Sequence, residues 1–176
     1  MKKSIDLIII SASNGNNLEL AKKFQNKSNE LSLCSEILDL TEFNIPLYNP
    51  RVHSKSAIPK EIQIIKEKLF AIEKWIICAP EYNGSIPPIL SNLIAWLSVS
   101  GDDFRNLFNG QPIAIATFSG GQGIEMLTSL RIQLVHLGSQ VLGRQLSSCF
   151  SKPAEDKSIE DITKRLMQMK KLILNN

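Results

Sequence analysis

The stretch WIICAPEYNGSIPPILSNLIAWLS, residues 75–98, decides the fold. It opens with Trp75–Ala79, apolar at every position, and the run stops at Pro80. Such a run reads as a strand covered on both faces, the kind found in parallel sheets. Beyond the turn residues Asn83-Gly84 the pattern changes to a helix over Pro87–Val99. Two prolines suit its first turn. Ile89, Leu90, Leu93, Ile94, Trp96 and Leu97 cover most of its circumference, which predicts a buried helix. A strand, a polar loop and a helix together form the repeating unit of an α/β sheet.

The unit recurs on both sides. Upstream, Ile5–Ile10 is an apolar run broken only by Asp6, and a helix over Leu18–Lys27 follows a polar loop. Leu33–Leu40 reads as the second strand. Thr41–Ile58 is a long irregular stretch containing Pro46 and Pro50, and loops of that length in compact domains are often functional. Pro59–Glu73 reads as a helix with Ile62, Ile65, Leu69 and Ile72 on one face. Downstream come a strand at Pro112–Phe118, a helix at Gly123–Leu137, a last strand at Gln140–Leu146 and a last helix at Ser158–Leu174. That helix carries Ile159, Ile162, Leu166, Met169, Leu172 and Ile173 in register. The alternation predicts one domain over residues 1–176: an α/β, flavodoxin-like three-layer sandwich. Its five-stranded parallel sheet has the order 2-1-3-4-5, with helices on both faces.

Composition removes several classes of function. The 176 residues suffice for one domain, and 43% hydrophobic with 21% charged residues are globular values. The net charge of +3 comes from basic residues spread along the chain. Without a basic stripe no nucleic-acid partner is expected, only a mild attraction for anionic small molecules. Cys34, Cys78 and Cys149 lie far apart with no CxxC, and His53 and His136 are the only histidines. No metal site and no Ser-His-Asp triad are expected. The first apolar run is too short to cross a bilayer, so no membrane partner is expected, and an odd cysteine count fits the reducing cytoplasm.

In a sheet of this order, ligands sit at the carboxyl ends of the strands, near the switch point. Three loops lie there. Ser11–Asn17 (SASNGNN) combines hydroxyls, carboxamides and a glycine just before a helix, whose N-terminal amides and dipole favour an anion. It is neither GxGxxG nor a Walker A loop. Its plainer reading is a polar loop that caps a helix. Pro80–Pro87 is stiffened by proline and could offer backbone N–H groups to a flat heteroaromatic; alternatively Asn83-Gly84 is a tight turn and Tyr82 a surface anchor. Ser119–Gly123 (SGGQG) lets backbone approach a ligand closely, or is simply a turn before a helix.

Taken together the three are more specific. PEYNGSIPPILSNLIAWLS strongly resembles the signature of the NADPH-dependent FMN reductase family, which includes chromate- and quinone-reducing members. SGGQGIEMLTSLRIQLVHLG resembles the family's second signature, and SASNGNNLELA its phosphate loop. The resemblance runs from Ile5 to about Leu146. It implies one FMN per subunit, NADPH or NADH as electron donor, and a homodimer or homotetramer. By position, Ser11, Ser13, Asn16 and Asn17 would bind the FMN phosphate. Pro80, Glu81, Tyr82, Asn83 and Gly84 would line the isoalloxazine ring, and Ser119, Gly120, Gly121 and Gly123 would close its other side.

The chain departs from the family in two places. The first loop usually carries an arginine, where Asn14-Gly15 stands here. That bears on the 2′-phosphate of NADPH, for which Arg51 is a candidate substitute, with Tyr48 as a further candidate for the substrate pocket. Ser91 and Ala95 stand where the family often has Lys and Asp, in a region that helps subunit contact. No catalytic residue is expected, because the flavin carries the hydride chemistry. The implied activity is an FMN-dependent NAD(P)H oxidoreductase with ping-pong turnover onto a small-molecule electron acceptor: a quinone, chromate or free flavin. The alternatives are a flavodoxin-type electron carrier, against which the +3 charge argues, and a non-catalytic FMN-binding protein.

Overall fold

The structure is a computed structural model that describes residues 4–55, 57–100 and 106–172. Its strands are β1 (Leu7–Ser11), β2 (Ser35–Asp39), β3 (Trp75–Cys78), β4 (Pro112–Phe118), β5 (Gln140–Val141) and β6 (Leu146–Ser148). Its helices are α1 (Asn16–Glu30), α2 (Pro50–His53), α3 (Lys60–Ala71), α4 (Pro88–Ser98), α5 (Ile124–His136) and α6 (Asp156–Gln168). The sheet runs in the order β2-β1-β3-β4-β5, and every pairing in it is parallel.

The central strands are apolar throughout because both faces are covered. Side chains alternate across a strand. Ile8 and Ile10 therefore join one core with Ile62 and Ile65 of α3, Leu93 of α4 and Leu130 of α5. Leu7 and Ile9 join the other, with Phe24 of α1 and Ile162 of α6. At roughly 25 cal/mol per Å² of apolar surface removed from water, this double burial is the main stabilising term of the fold.

The expected last strand, Gln140–Leu146, is two short strands. β5 pairs with Pro112 and Ile113 at the start of β4, and β6 pairs with Ala116–Phe118 at its end. Arg131 of α5 explains the break. Its guanidinium donates to the carbonyls of Val141 (3.4 Å) and Leu142 (2.9 Å) and to Gln145 Oε1 (2.9 Å), so the intervening backbone turns out of the ladder. The helix expected from Leu18 begins two residues earlier, behind Gly15, and no side chain caps it. The last helix ends at Gln168, short of the expected Leu174; Ile173 and Leu174 lie outside the described residues. The long loop after β2 is pinned to α4. Asn92 Nδ2 (3.0 Å) and Trp96 Nε1 (2.8 Å) both donate to the Pro46 carbonyl, while Tyr48 N–H donates to Asn92 Oδ1 (2.8 Å).

Candidate functional site

A cleft of about 300 Å³ opens at the carboxyl ends of β1, β3 and β4. The loop after each strand forms one wall. Ser13, Asn14, Gly15, Asn16 and Asn17 make the first. Pro80, Glu81 and Tyr82 make the second, and Phe118, Ser119 and Gly120 the third. Phe150, from the turn after β6, completes the rim. A larger hollow of about 570 Å³ lies elsewhere, against Gln63, Lys66 and Phe70 of α3 and Ser100; its lining is mostly apolar and none of the three loops reaches it.

At the first wall, the Gly15 carbonyl accepts the N–H groups of Leu18 (2.9 Å) and Glu19 (3.1 Å). The N–H groups of Asn16 and Asn17 have no partner among the described residues. A helix N-terminus with two free amides and no capping side chain is a ready anion seat. The Ser11 hydroxyl is fully buried and donates to the Ser13 carbonyl (2.7 Å), which stiffens the loop and takes that hydroxyl out of the cleft.

The second wall owes its shape to a two-residue turn. Tyr82 N–H donates to the Ser85 carbonyl (3.1 Å), and Ser85 N–H returns to the Tyr82 carbonyl (3.0 Å). Asn83 (φ 53°) and Gly84 (φ 69°) both sit in the left-handed region, the combination that makes Asn-Gly the favoured pair for such turns. The turn presents Tyr82, half exposed, to the cleft and leaves Asn83 and Gly84 outside it. Of the N–H groups in this loop, that of Tyr82 is occupied by the Ser85 carbonyl and that of Glu81 by Ser119 Oγ (2.9 Å), while those of Asn83 and Gly84 have no partner among the described residues.

The third wall is locked to the second. The Thr117 hydroxyl donates to the Ala79 carbonyl (2.6 Å), so the Ser119 hydroxyl, 2.8 Å from it, must donate to Thr117 while accepting from Glu81 N–H. The Glu81 carboxylate in turn accepts Met126 N–H (3.2 Å) in the first turn of α5, whose cap, Gly123, has no side chain. Gly123 lies behind the cleft, against Thr117 and Ser119. Gly120 and Gly121 face outward, where an added Cβ would meet nothing within 4 Å.

A family model described as NADPH-dependent FMN reductase matches residues 5–152. This chain belongs to that family. The chain is 33% identical over 103 residues to a quinone reductase of Escherichia coli K12, covering 57% of this chain and 53% of that protein. It is 32% identical over 87 residues to an NAD(P)H-dependent FMN reductase of Pseudomonas aeruginosa, covering 49% and 44%. The chain thus spans about half the length of the curated relatives it matches. Among solved structures, the flavoenzyme NAD(P)H:(acceptor) oxidoreductase FerB of Paracoccus denitrificans superposes with a TM-score of 0.75 at 19% identity, covering 94% of this chain and 96% of that one. An archaeal flavodoxin superposes at 0.61 and 11% identity, with 94% and 96% covered. These two likenesses concern the fold.

The cleft suits the cofactor that the family's name gives. Free amides at the start of α1 match an anionic tail, and the open face at Gly120-Gly121 leaves room for a flat ring. Among the described residues no lysine or arginine lines the cleft, so an anion there would be held by neutral donors and the helix dipole.

Of the residues read from sequence, Ser13, Asn16, Asn17, Pro80, Glu81, Tyr82, Ser119 and Gly120 line this cleft; Ser11, Asn83, Gly84, Gly121 and Gly123 do not. Phe118 and Phe150 were missed. Their rings meet edge to face at 5.0 Å, and Phe150 is 79% exposed. The signal for Phe150 was a lone aromatic in the polar run Ser147-Ser148-Cys149-Phe150-Ser151-Lys152. Tyr48 and Arg51 are no part of the cleft wall: Tyr48 packs edge-on against Trp96 of α4, 5.1 Å between ring centres, and Arg51 is exposed on α2.

Proposed function

We propose that the chain is an FMN-dependent oxidoreductase that takes electrons from NADPH or NADH and delivers them to a small acceptor of the quinone class. The observation that carries this reading is the meeting of an uncapped helix N-terminus with two proline- and glycine-shaped loops in one cleft, in a chain of this family. When bound, FMN supplies the chemistry by accepting a hydride and releasing electrons to an acceptor. The amides of Asn16 and Asn17 would hold its phosphate, and the backbone around Pro80–Tyr82 and Ser119–Gly121 would flank the ring. Tyr82 and Phe150 would screen the ring and its tail from water.

A cleft of about 300 Å³ lies at the small end of ligand sites. Donor and acceptor would therefore use the same open side in turn, which is ping-pong turnover. The reading includes self-association into a homodimer or homotetramer, for which Leu47 (82% exposed), on the loop pinned to α4, and Val52 (53% exposed), on α2, supply apolar surface.

The test is reconstitution. Purified protein incubated with FMN and desalted should keep the yellow flavin spectrum, lose it when NADPH or NADH is added without oxygen, and regain it on adding a quinone. A colourless desalted protein refutes the reading. Retained colour that neither nucleotide bleaches would instead favour an electron carrier or a non-catalytic flavin protein. Sedimentation at the mass of one 19.7 kDa chain would remove the oligomer.

A further inference from the structure

β4 is longer than the strand beside it, and Asn17 fills the space that this leaves. Backbone groups of a strand point alternately to its two neighbours. The Ala116 carbonyl faces β3 and accepts Ala79 N–H (3.1 Å). The Thr117 carbonyl faces the other way and accepts the Ser148 hydroxyl (2.7 Å). Phe118 therefore faces the β3 side again. But β3 ends at Cys78, and the groups that would carry its ladder on to Phe118 are taken: the Ala79 carbonyl accepts the Thr117 hydroxyl, and Glu81 N–H donates to Ser119 Oγ. The N–H and C=O of Phe118 have no strand opposite them.

The Asn17 carboxamide takes both. Its Nδ2 donates to the Phe118 carbonyl at 2.8 Å, and Phe118 N–H donates to its Oδ1 at 2.8 Å. The two residues are 101 positions apart, and Asn17 is only 2% exposed. A carboxamide carries the donor–acceptor pair of a peptide group, so this side chain stands in for one residue of the missing strand. Aspartate could accept but not donate. Alanine would leave two backbone groups unpaired in a buried setting, which is costly.

We infer that Asn17 is a positioning residue, a brace that fixes the anion-facing start of α1 against the end of β4 and the Ser119–Gly121 wall. Its side chain does not ligate the phosphate; what it offers a ligand is its free backbone N–H. The ligand side of this inference rests on the proposed flavin site, while the brace stands on the hydrogen bonds alone.

The experiment compares wild type with Asn17→Ala, titrating FMN and riboflavin in parallel by flavin fluorescence and measuring amide exchange at Phe118. A brace serves both ends of the cleft, so the dissociation constants for FMN and riboflavin should both rise about tenfold, by similar factors. Exchange at Phe118 should rise with them. Loss of FMN affinity alone, with riboflavin and exchange unchanged, would make Asn17 a phosphate ligand and overturn the inference; so would no change in any of the three. Should Asn17→Ala not fold, wild type decides. Its Asn17 side-chain NH₂ resonances should be protected before FMN is added and keep their positions after. A scalar coupling from that nitrogen to the FMN phosphorus would overturn the inference. If wild type binds neither flavin, the functional reading fails, and unchanged Phe118 exchange in Asn17→Ala would still refute the brace.

Discussion

At the scale of single residues, two glycines of the site loops with φ > 0, Gly123 and Gly84, differ in what an added side chain would meet. Gly123 has φ +64°, and an added Cβ would come within 2.7 Å of Thr117 Cγ2 and 2.9 Å of Ser119 Oγ. Gly123→Ala therefore combines left-handed strain of about 1–2 kcal/mol with displacement of the Thr117–Ser119–Glu81 chain. Denaturant midpoints should fall, and FMN affinity should fall with them. Gly84→Ala, at φ +69° with nothing near its Cβ, should cost the strain alone. Equal losses for the two would show that packing at Gly123 is unimportant. Phe150 makes the opposite case. Its side chain is 79% exposed, so Phe150→Ala should leave the denaturation midpoint nearly unchanged while weakening FMN. Sequence made the glycines visible as sites of backbone freedom. It could not say which faces a ligand and which faces Thr117, because that depends on atoms far apart in the chain.

Elements were legible where their signal was local. β4 and the apolar cores of β1 and β3 were read directly, since a run buried on both faces is apolar at every position. The break between β5 and β6 was not, because its cause is Arg131, contributed by a helix that precedes it. Arg131→Ala should free the carbonyls of Val141 and Leu142, raise amide exchange across residues 141–146 and cost about 1.5–3 kcal/mol, the worth of a charge-assisted bond. Unchanged exchange there would mean that the break has another origin. α6 carries its own pH dependence. Arg165 beside Asp161, and Lys164 beside Glu160, hold both carboxyls below the usual carboxylate range. A depressed folded value means that the stabilisation is complete above the unfolded pKa, near ~4, and is lost as pH falls through the folded values. Amide protection factors within α6, taken relative to the intrinsic exchange rate at each pH, should therefore fall as pH drops below ~4. The effect should be small, because both pairs are exposed and screened.

At the scale of the whole molecule, the cleft sits on top of the fold rather than inside it. None of the buried residues of either core lines the cleft, and the cleft walls are loops that bond to one another. The protein should therefore fold without cofactor, and binding should add to a stability already present. A ligand that binds only the folded state contributes RT ln(1 + [L]/Kd), about 2.7 kcal/mol at a hundredfold excess over Kd. For a chain of this length that is a rise in Tm of about 5–10 °C. Riboflavin has the same ring without the phosphate, so at the same concentration it should raise Tm by less. The difference measures what the start of α1 contributes. Because neutral amides and the helix dipole would hold that anion, with no lysine or arginine lining the cleft among the described residues, the FMN shift should fall only modestly when salt is added. Equal shifts for FMN and riboflavin would move the phosphate away from Asn16 and Asn17, and an FMN shift abolished by salt would require a cation that the cleft wall does not supply.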